Sequence, residues 1–275
     1  VGARGLLAVL VVERLFLAFG ALVQLVVRLV VRGGHRGARM RERAPSLNVL
    51  LRRRFRQGLV DLGGPRGLED EARMLARELS SVKLPVIAVL GNHDYEADKP
   101  EAVMAALREV GVHVLDGDSV EVGGVGFAGA KGFAGGCGER ALQPWGEPSI
   151  KAFVHEAVTE ALKLETALAK LRTAMRVALL HYSPIPATLR GEHLQIYPFL
   201  GSYLLGEAID AAGADLVVHG HAHSGSEKGV TPSGISVRNV AQPVLHSAFR
   251  VYCLNGGGAV ECADPVPDQK RALEE

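Results

Sequence analysis

Three polar clusters each follow a short apolar run: Gly91-Asn92-His93-Asp94, a lone His181, and Gly220-His221-Ala222-His223. Asn92 offers a neutral carbonyl oxygen. His181, His221 and His223 offer imidazole nitrogens. Together they form a donor set suited to a borderline divalent ion such as Mn, Fe, Zn, Ni or Co. If the segment from Gly220 to His223 runs extended, its period of two puts His221 and His223 on one face, and Gly220 lets the backbone turn tightly before them. A single histidine after a strand is ordinarily a satisfied core or surface group. Three clusters in this order, each at the end of an apolar run, point instead to a metal centre.

The runs that must position these clusters are legible. Leu84 to Leu90 is a short, continuous apolar run bounded by turns, which predicts a buried parallel strand delivering Gly91–Asp94 at its C-terminal end. Arg176 to Leu180 predicts a strand ending at His181, and Asp215 to Val218 one ending at His219. Helical spacing predicts helices over Leu68–Ser81, over Pro100–Val110 with proline in its first turn, over Pro148–Thr173 as an outer addition or a cap, and over Leu204–Ala212. Strands are expected at Val112–Leu115 and Ser119–Val122 around the turn Asp116-Gly117-Asp118, then at Val125–Ala130, Ile235–Val240 and Phe249–Leu254. Alternating strands and helices give an α/β fold, and in such folds sites lie beyond strand C-termini. Gly129–Gly138 lacks the order of a phosphate loop and reads as a flexible loop near the site. Lys131 and Arg190 read as solvated charges, Tyr182, Tyr197 and Phe199 as ordinary packing, and His193 and His246 as structural.

The blocks Gly91–Asp94, His181 and Gly220–His223 resemble the last three motif blocks of the calcineurin-like metallophosphoesterase superfamily. The likeness covers residues 58 to 255. Lys131-Gly132-Phe133, Pro144-Trp145-Gly146-Glu147 and His181-Tyr182-Ser183-Pro184 resemble an uncharacterised bacterial subgroup. The resemblance implies a four-layer α-β-β-α sandwich of two mixed sheets flanked by helices. It implies hydrolysis of a phosphomonoester or phosphodiester by a metal-activated hydroxide. Asn92, His181 and His221 would bind one metal and His223 another. His93 would act at the leaving group, oriented by Asp94. The family's first two blocks, Asp-x-His and Gly-Asp, are missing or degraded here. No Asp precedes Asp61, and Gln57-Gly58-Leu59-Val60-Asp61 lacks the bridging carboxylate next to Gly58. His35 has no strand before it and is not read as a ligand. Two metals are therefore expected in the intact family, and one or none in this chain. The alternative is a catalytically inactive scaffold or binding protein with the same fold.

Residues 1–57 stand apart, being rich in Arg, Val and Leu. They have no Lys, and Glu13 and Glu42 are their only acidic residues. A disordered leader and coding sequence read out of frame both account for that composition. Residues 58–262 form the expected metallophosphoesterase domain and 263–275 a polar tail. The 275-residue chain carries a formal charge of +1, which gives no global attraction for nucleic acid or anionic lipid. Leu15–Val31 is apolar but interrupted by Gln24 and Arg28, short of a clean membrane span. Cys137, Cys253 and Cys262 share no metal-like spacing and fit free thiols in a reducing, cytoplasmic setting. The expected partner is a small phosphoester substrate.

Overall fold

Alternation within the apolar runs builds the architecture. In Val86–Leu90 (β3), Ile87 and Val89 point one way, and Val86, Ala88 and Leu90 the other; all five are buried. A strand buried on both faces needs a layer on each side, and the computed structural model supplies them. It describes residues 7–13, 23–29, 68–82, 84–96, 98–246, 250–255 and 258–261. His35, Gly58, Asp61, Cys262 and the tail 263–275 lie outside these, as does most of the leader.

In chain order the elements begin with strands Leu7–Glu13 (β1) and Val23–Leu29 (β2), helix Leu68–Leu79 (α1) and β3. Helices Asn92–Glu96 (α2) and Pro100–Glu109 (α3) come next, then strands His113–Val114 (β4), Asp118–Val122 (β5) and Val125–Ala130 (β6). The chain continues with helix Pro148–Ala169 (α4), strand Met175–Leu180 (β7) and helices Tyr197–Leu200 (α5) and Tyr203–Ala212 (α6). Strands Leu216–His219 (β8), Lys228–Val230 (β9) and Ser236–Asn239 (β10), helix Gln242–Leu245 (α7), and strands Arg250–Asn255 (β11) and Gly258–Glu261 (β12) complete it.

The strands form two mixed six-stranded sheets, ordered β12-β11-β1-β2-β3-β4 and β5-β6-β7-β8-β10-β9. Parallel pairing joins β6 to β7, β7 to β8 and β8 to β10. Between the sheets lie Ile87, Val89, Phe127, Val177, Leu179, Leu216 and Val218. Burying each such side chain fully stabilises the fold by about 1.5–3 kcal/mol. On the outer face of the first sheet, Ala72, Leu75 and Leu79 of α1 and Val103 and Leu107 of α3 cover Ala88 and Leu90. On the outer face of the second, Ala161, Leu164 and Leu168 of α4 and Leu205 and Ile209 of α6 cover Ala128, Ala178 and Leu180. The result is the expected four-layer α/β sandwich.

Several sequence expectations are refined. The long helix α4 is an integral outer layer of the second sheet. The strands on either side of Asp116–Asp118 are not partners: β4 pairs with β3, and β5 with β6, so the chain crosses between sheets at that turn. Within the leader, β2 pairs antiparallel with both β1 and β3. Gly129 marks the close approach of the sheets, because a Cβ there would stand 2.7 Å from Val89 Cγ1. Among the described residues no helix is long and apolar enough to cross a membrane.

Candidate metal centre

Three strand ends meet at one rim, β3 from the first sheet and β7 and β8 from the second. Asn92 is the first residue of α2, directly after β3. The turn is held reciprocally. The Gly91 N–H donates to Asp94 Oδ2 at 2.7 Å, and the Asp94 N–H donates to the Gly91 carbonyl at 3.2 Å. Asp94 is fully buried, and its carboxylate fixes the backbone from which Asn92 and His93 project.

His181 follows β7 and is fully buried. Its backbone N–H donates to the Lys131 carbonyl at 3.0 Å. Its Nε2 lies 2.8 Å from Asn92 Oδ1 and 3.1 Å from His221 Nδ1. The partner of His221 Nε2 settles the proton positions. That atom lies 3.2 Å from the Phe199 carbonyl, which can only accept, so Nε2 carries the hydrogen and Nδ1 is a lone pair. Asn92 Oδ1 is also an acceptor, so the proton among the three belongs to His181 Nε2.

The segment after β8 is not extended, which corrects the face-sharing argument for His221 and His223. The Ala222 N–H donates to the Gly220 carbonyl at 2.7 Å, and His221, at the centre of that γ-turn, has a φ of +66°. A side chain in the left-handed region is strained, and such strain concentrates at functional sites. Asn239, fully buried at the end of β10, braces the turn: Nδ2 donates to the Ala222 carbonyl at 2.7 Å, and Oδ1 accepts from the Ala241 N–H at 3.1 Å.

Asn92, His181 and His221 thus converge, while His223 stands outside that contact set. Among the described residues no three His, Cys, Asp or Glu side chains close on one point, so the convergence depends on the Asn92 amide. His223 lies near enough to affect His181 and His221 electrostatically, and its Nε2 is buried with no hydrogen-bond partner among the described residues. His93 acts electrostatically on all three of these histidines. Burial is the main force lowering their pKa values: His181 falls well below its ordinary value, His221 to about 4, and His223 also falls, although Glu192 opposes that last shift. All three are neutral at pH 7, as ligation requires.

The two separations from His181 are compatible with ligands of one divalent ion. Ligands about 2.1 Å from a metal and 90° apart are about 3.0 Å from each other, and the contacts of 2.8 and 3.1 Å bracket that spacing. The set contains two imidazoles and an amide and no carboxylate, so it offers no charge to offset a cation's.

One other residue behaves differently from the sequence reading. Lys131 is not a solvated charge: it is 5% exposed. Its ammonium donates to the Gly132 carbonyl at 2.8 Å and lies 5.0, 4.8 and 5.6 Å from the ring centres of Tyr95, Phe133 and Tyr182. Burial lowers its pKa. Tyr182 is buried, its ring centre 4.5 Å from that of His221. His219 is a satisfied core group, with Nδ1 donating to the Gly220 carbonyl at 2.8 Å and Nε2 2.7 Å from Thr188 Oγ1. The glycine-rich loop is packed down: the Gly135 and Gly136 N–H groups donate to the carbonyls of Pro198 and Gly201 at 2.7 and 2.8 Å. The bracing role of Asn239 was missed because a lone Asn after a strand carries no pattern of its own.

No protein-family profile matches the chain, and no curated protein matches it. Solved structures do. One superposes with a TM-score of 0.44 at 17% identity, over 68% of this chain and 67% of its own. Another, a "Putative 5'-Nucleotidase" from Staphylococcus aureus in complex with alpha-ketoglutarate, has a TM-score of 0.38 at 13% identity, over 75% of this chain and 43% of its own.

Proposed function

We propose that this chain belongs to the calcineurin-like metallophosphoesterases and that its rim binds one divalent ion and a small phosphoester, either a monoester or a diester. The observation that carries this reading is the cross-sheet meeting of Asn92 Oδ1, His181 Nε2 and His221 Nδ1 at 2.8 and 3.1 Å. The blocks that supply these atoms are those that carry the family resemblance.

Asn92, His181 and His221 would hold the ion, Mn, Fe, Zn, Ni or Co. Bound there, it would polarise a phosphoryl oxygen and lower the pKa of a water. His93 would donate a proton to the leaving oxygen, while Asp94 keeps the Gly91 turn closed beneath it. His223, with its buried Nε2, is the candidate for a second ion or for a phosphoryl oxygen. The missing upstream carboxylates weigh against an ion pair, because two cations about 3.5–4 Å apart need a bridging anion. Turnover is therefore expected to be orders of magnitude below that of an intact site. The same absence favours a second reading, an inactive scaffold that keeps the fold and binds a partner. We place the protein in the cytoplasm on its cysteine usage.

Metal analysis of the purified chain, together with hydrolysis of bis(p-nitrophenyl) phosphate with and without Mn, separates the two readings. The enzyme reading expects about one ion per chain and a Mn-dependent rate that falls about 10²–10⁴-fold in His93→Ala with metal content unchanged. No ion and no Mn-dependent rate would favour the scaffold.

A further inference from the structure

The outward side of α4 carries one narrow stripe. At about 100° per residue, Lys151, His155, Val158, Leu162, Glu165 and Ala169 all fall within about 40° of one line along the helix. Five of these residues are exposed and Glu165 is half-buried. Val158 and Leu162, 36% and 55% exposed, form its apolar middle. Lys151 and His155 lie on the N-terminal side of that pair, and Glu165 lies on the C-terminal side. The N-terminal half of the stripe is concave: Pro144, Lys151, Ala152, Val154, His155 and Val158 line one groove of about 410 Å³. Pro144 reaches this groove because the segment before α4 folds back beside the helix, and Trp145, the next residue, is 74% exposed. Single exposed hydrophobics are ordinary; an apolar pair beside a groove, with opposite charges at its two ends, is a patterned surface.

We propose that this face is the two-fold interface of a homodimer, in which the α4 helices of two copies pack antiparallel. The stripe is complementary to itself in that direction alone. With the axis beside residue 160, Val158 meets the partner's Leu162 and His155 meets the partner's Glu165. Lys151 lies one turn from that carboxylate and beside the partner's helix C-terminus, the negative end of its dipole. The groove of one copy thus receives leucine against its apolar wall and carboxylate against its basic one. A parallel pairing would set lysine against lysine and glutamate against glutamate. The remaining charges of α4, Glu156, Glu160 and Lys163, lie more than about 100° round the helix from the stripe. Glu160 and Lys163 already pair with each other. A helix face about 33 Å long and about 12 Å across offers about 400 Å², against roughly 800 Å² per partner for a stable interface. The Trp145 segment beside it adds to that area, and the total fits a weak dimer. The proposal does not depend on the phosphoesterase reading.

Sedimentation equilibrium of the full chain at pH 8 and low salt tests the proposal. A monomer–dimer equilibrium with a dissociation constant on the order of 10–100 μM is expected. L162R should weaken it at least about tenfold. K151E and E165K should each weaken it about three- to tenfold, because each change places like charges together at both symmetric contacts. K151E/E165K restores opposite charges and should return to within about twofold of the wild-type chain. All these changes fall on exposed or half-exposed side chains, and an unchanged thermal midpoint shows that each variant folds. A chain that stays monomeric at about 300 μM overturns the proposal, as does a dimer that L162R leaves intact. Single charge changes without effect, or a double change no better than either single one, overturn the antiparallel register. A monomer that binds a different protein through this face also overturns it.

Discussion

His181 Nε2 and Asn92 Oδ1 meet at 2.8 Å across the interface between the two sheets, one following β7 and the other β3. The lone pairs of Asn92 and His221 both face the same hydrogen on His181. A cation bound there, as proposed above, would take the place of that hydrogen and leave His181 with its proton on Nδ1.

That relationship gives the first prediction. Nitrogen-detected NMR of the metal-free protein should show His181 protonated at Nε2 and His221 also at Nε2. Saturating Zn should move the His181 proton to Nδ1 and leave His221 unchanged. Asn92→Ala should weaken divalent-ion binding at least about tenfold, by analogy with the losses seen when a metal site's supporting groups are removed. An unchanged affinity would remove Asn92 from the ligand set.

A second prediction concerns a carboxylate remote from the centre. Glu160 of α4 is 1% exposed; its Oε2 accepts from the Gly132 N–H at 2.8 Å and its Oε1 from Lys163 at 2.7 Å. Lys163 also pairs with Asp116 at 3.3 Å. Partial burial pulls the Lys163 pKa down, but Glu160 and then Asp116 outweigh it and the net shift is upward. Glu160→Ala strands a buried N–H and should cost about 3 kcal/mol. Glu160→Gln keeps an acceptor for Gly132 and should cost about 1 kcal/mol. Urea unfolding measures both. Equal costs for the two variants would show that the Gly132 contact is immaterial.

The third prediction is a pH dependence. Burial, the largest cause, holds His219 at about 4 against an ordinary 6.5, with its bond to Gly220 opposing the shift and His221 adding to it. The unfolded chain therefore binds a proton at a higher pH than the folded one. The stability due to a neutral His219 is complete above about pH 6.5 and is lost as the pH falls towards 4. Its slope reaches about 1.4 kcal/mol per pH unit. His181 and His221 shift in the same direction and steepen the loss. His219→Asn keeps a donor for Gly220 without the titration, so urea midpoints measured at pH 5 and 7 should differ less in that variant than in the wild-type chain. An equal difference in both would assign the acid sensitivity elsewhere.

How much of this was readable from sequence depends on range. The continuous apolar runs Val86–Leu90 and Val177–Leu180 are a local pattern, and the strands lie close to where those runs placed them. The order of the polar clusters grouped Asn92, His181, His221 and His223 as one donor set; contacts join the first three, and His223 stands outside them. The His221 turn was not readable, because its left-handed backbone is enforced by Asn239 and the Gly220 carbonyl, contacts made only in the fold. The partition of β4 and β5 between sheets was hidden for a similar reason. A short turn between two apolar segments looks the same whether the chain folds back or crosses over. Lys131 was misjudged because the rings around it come from three separate positions, Tyr95, Phe133 and Tyr182.

The Lys131 cage bears on how the rim can move. Tyr95 follows the first sheet's β3 and Tyr182 the second sheet's β7, so one ammonium grips both. A point charge over ring faces is attracted across a broad range of angles, whereas a hydrogen bond weakens steeply once bent. The joint between the layers therefore tolerates small changes in their relative angle that a hydrogen bond in its place would resist.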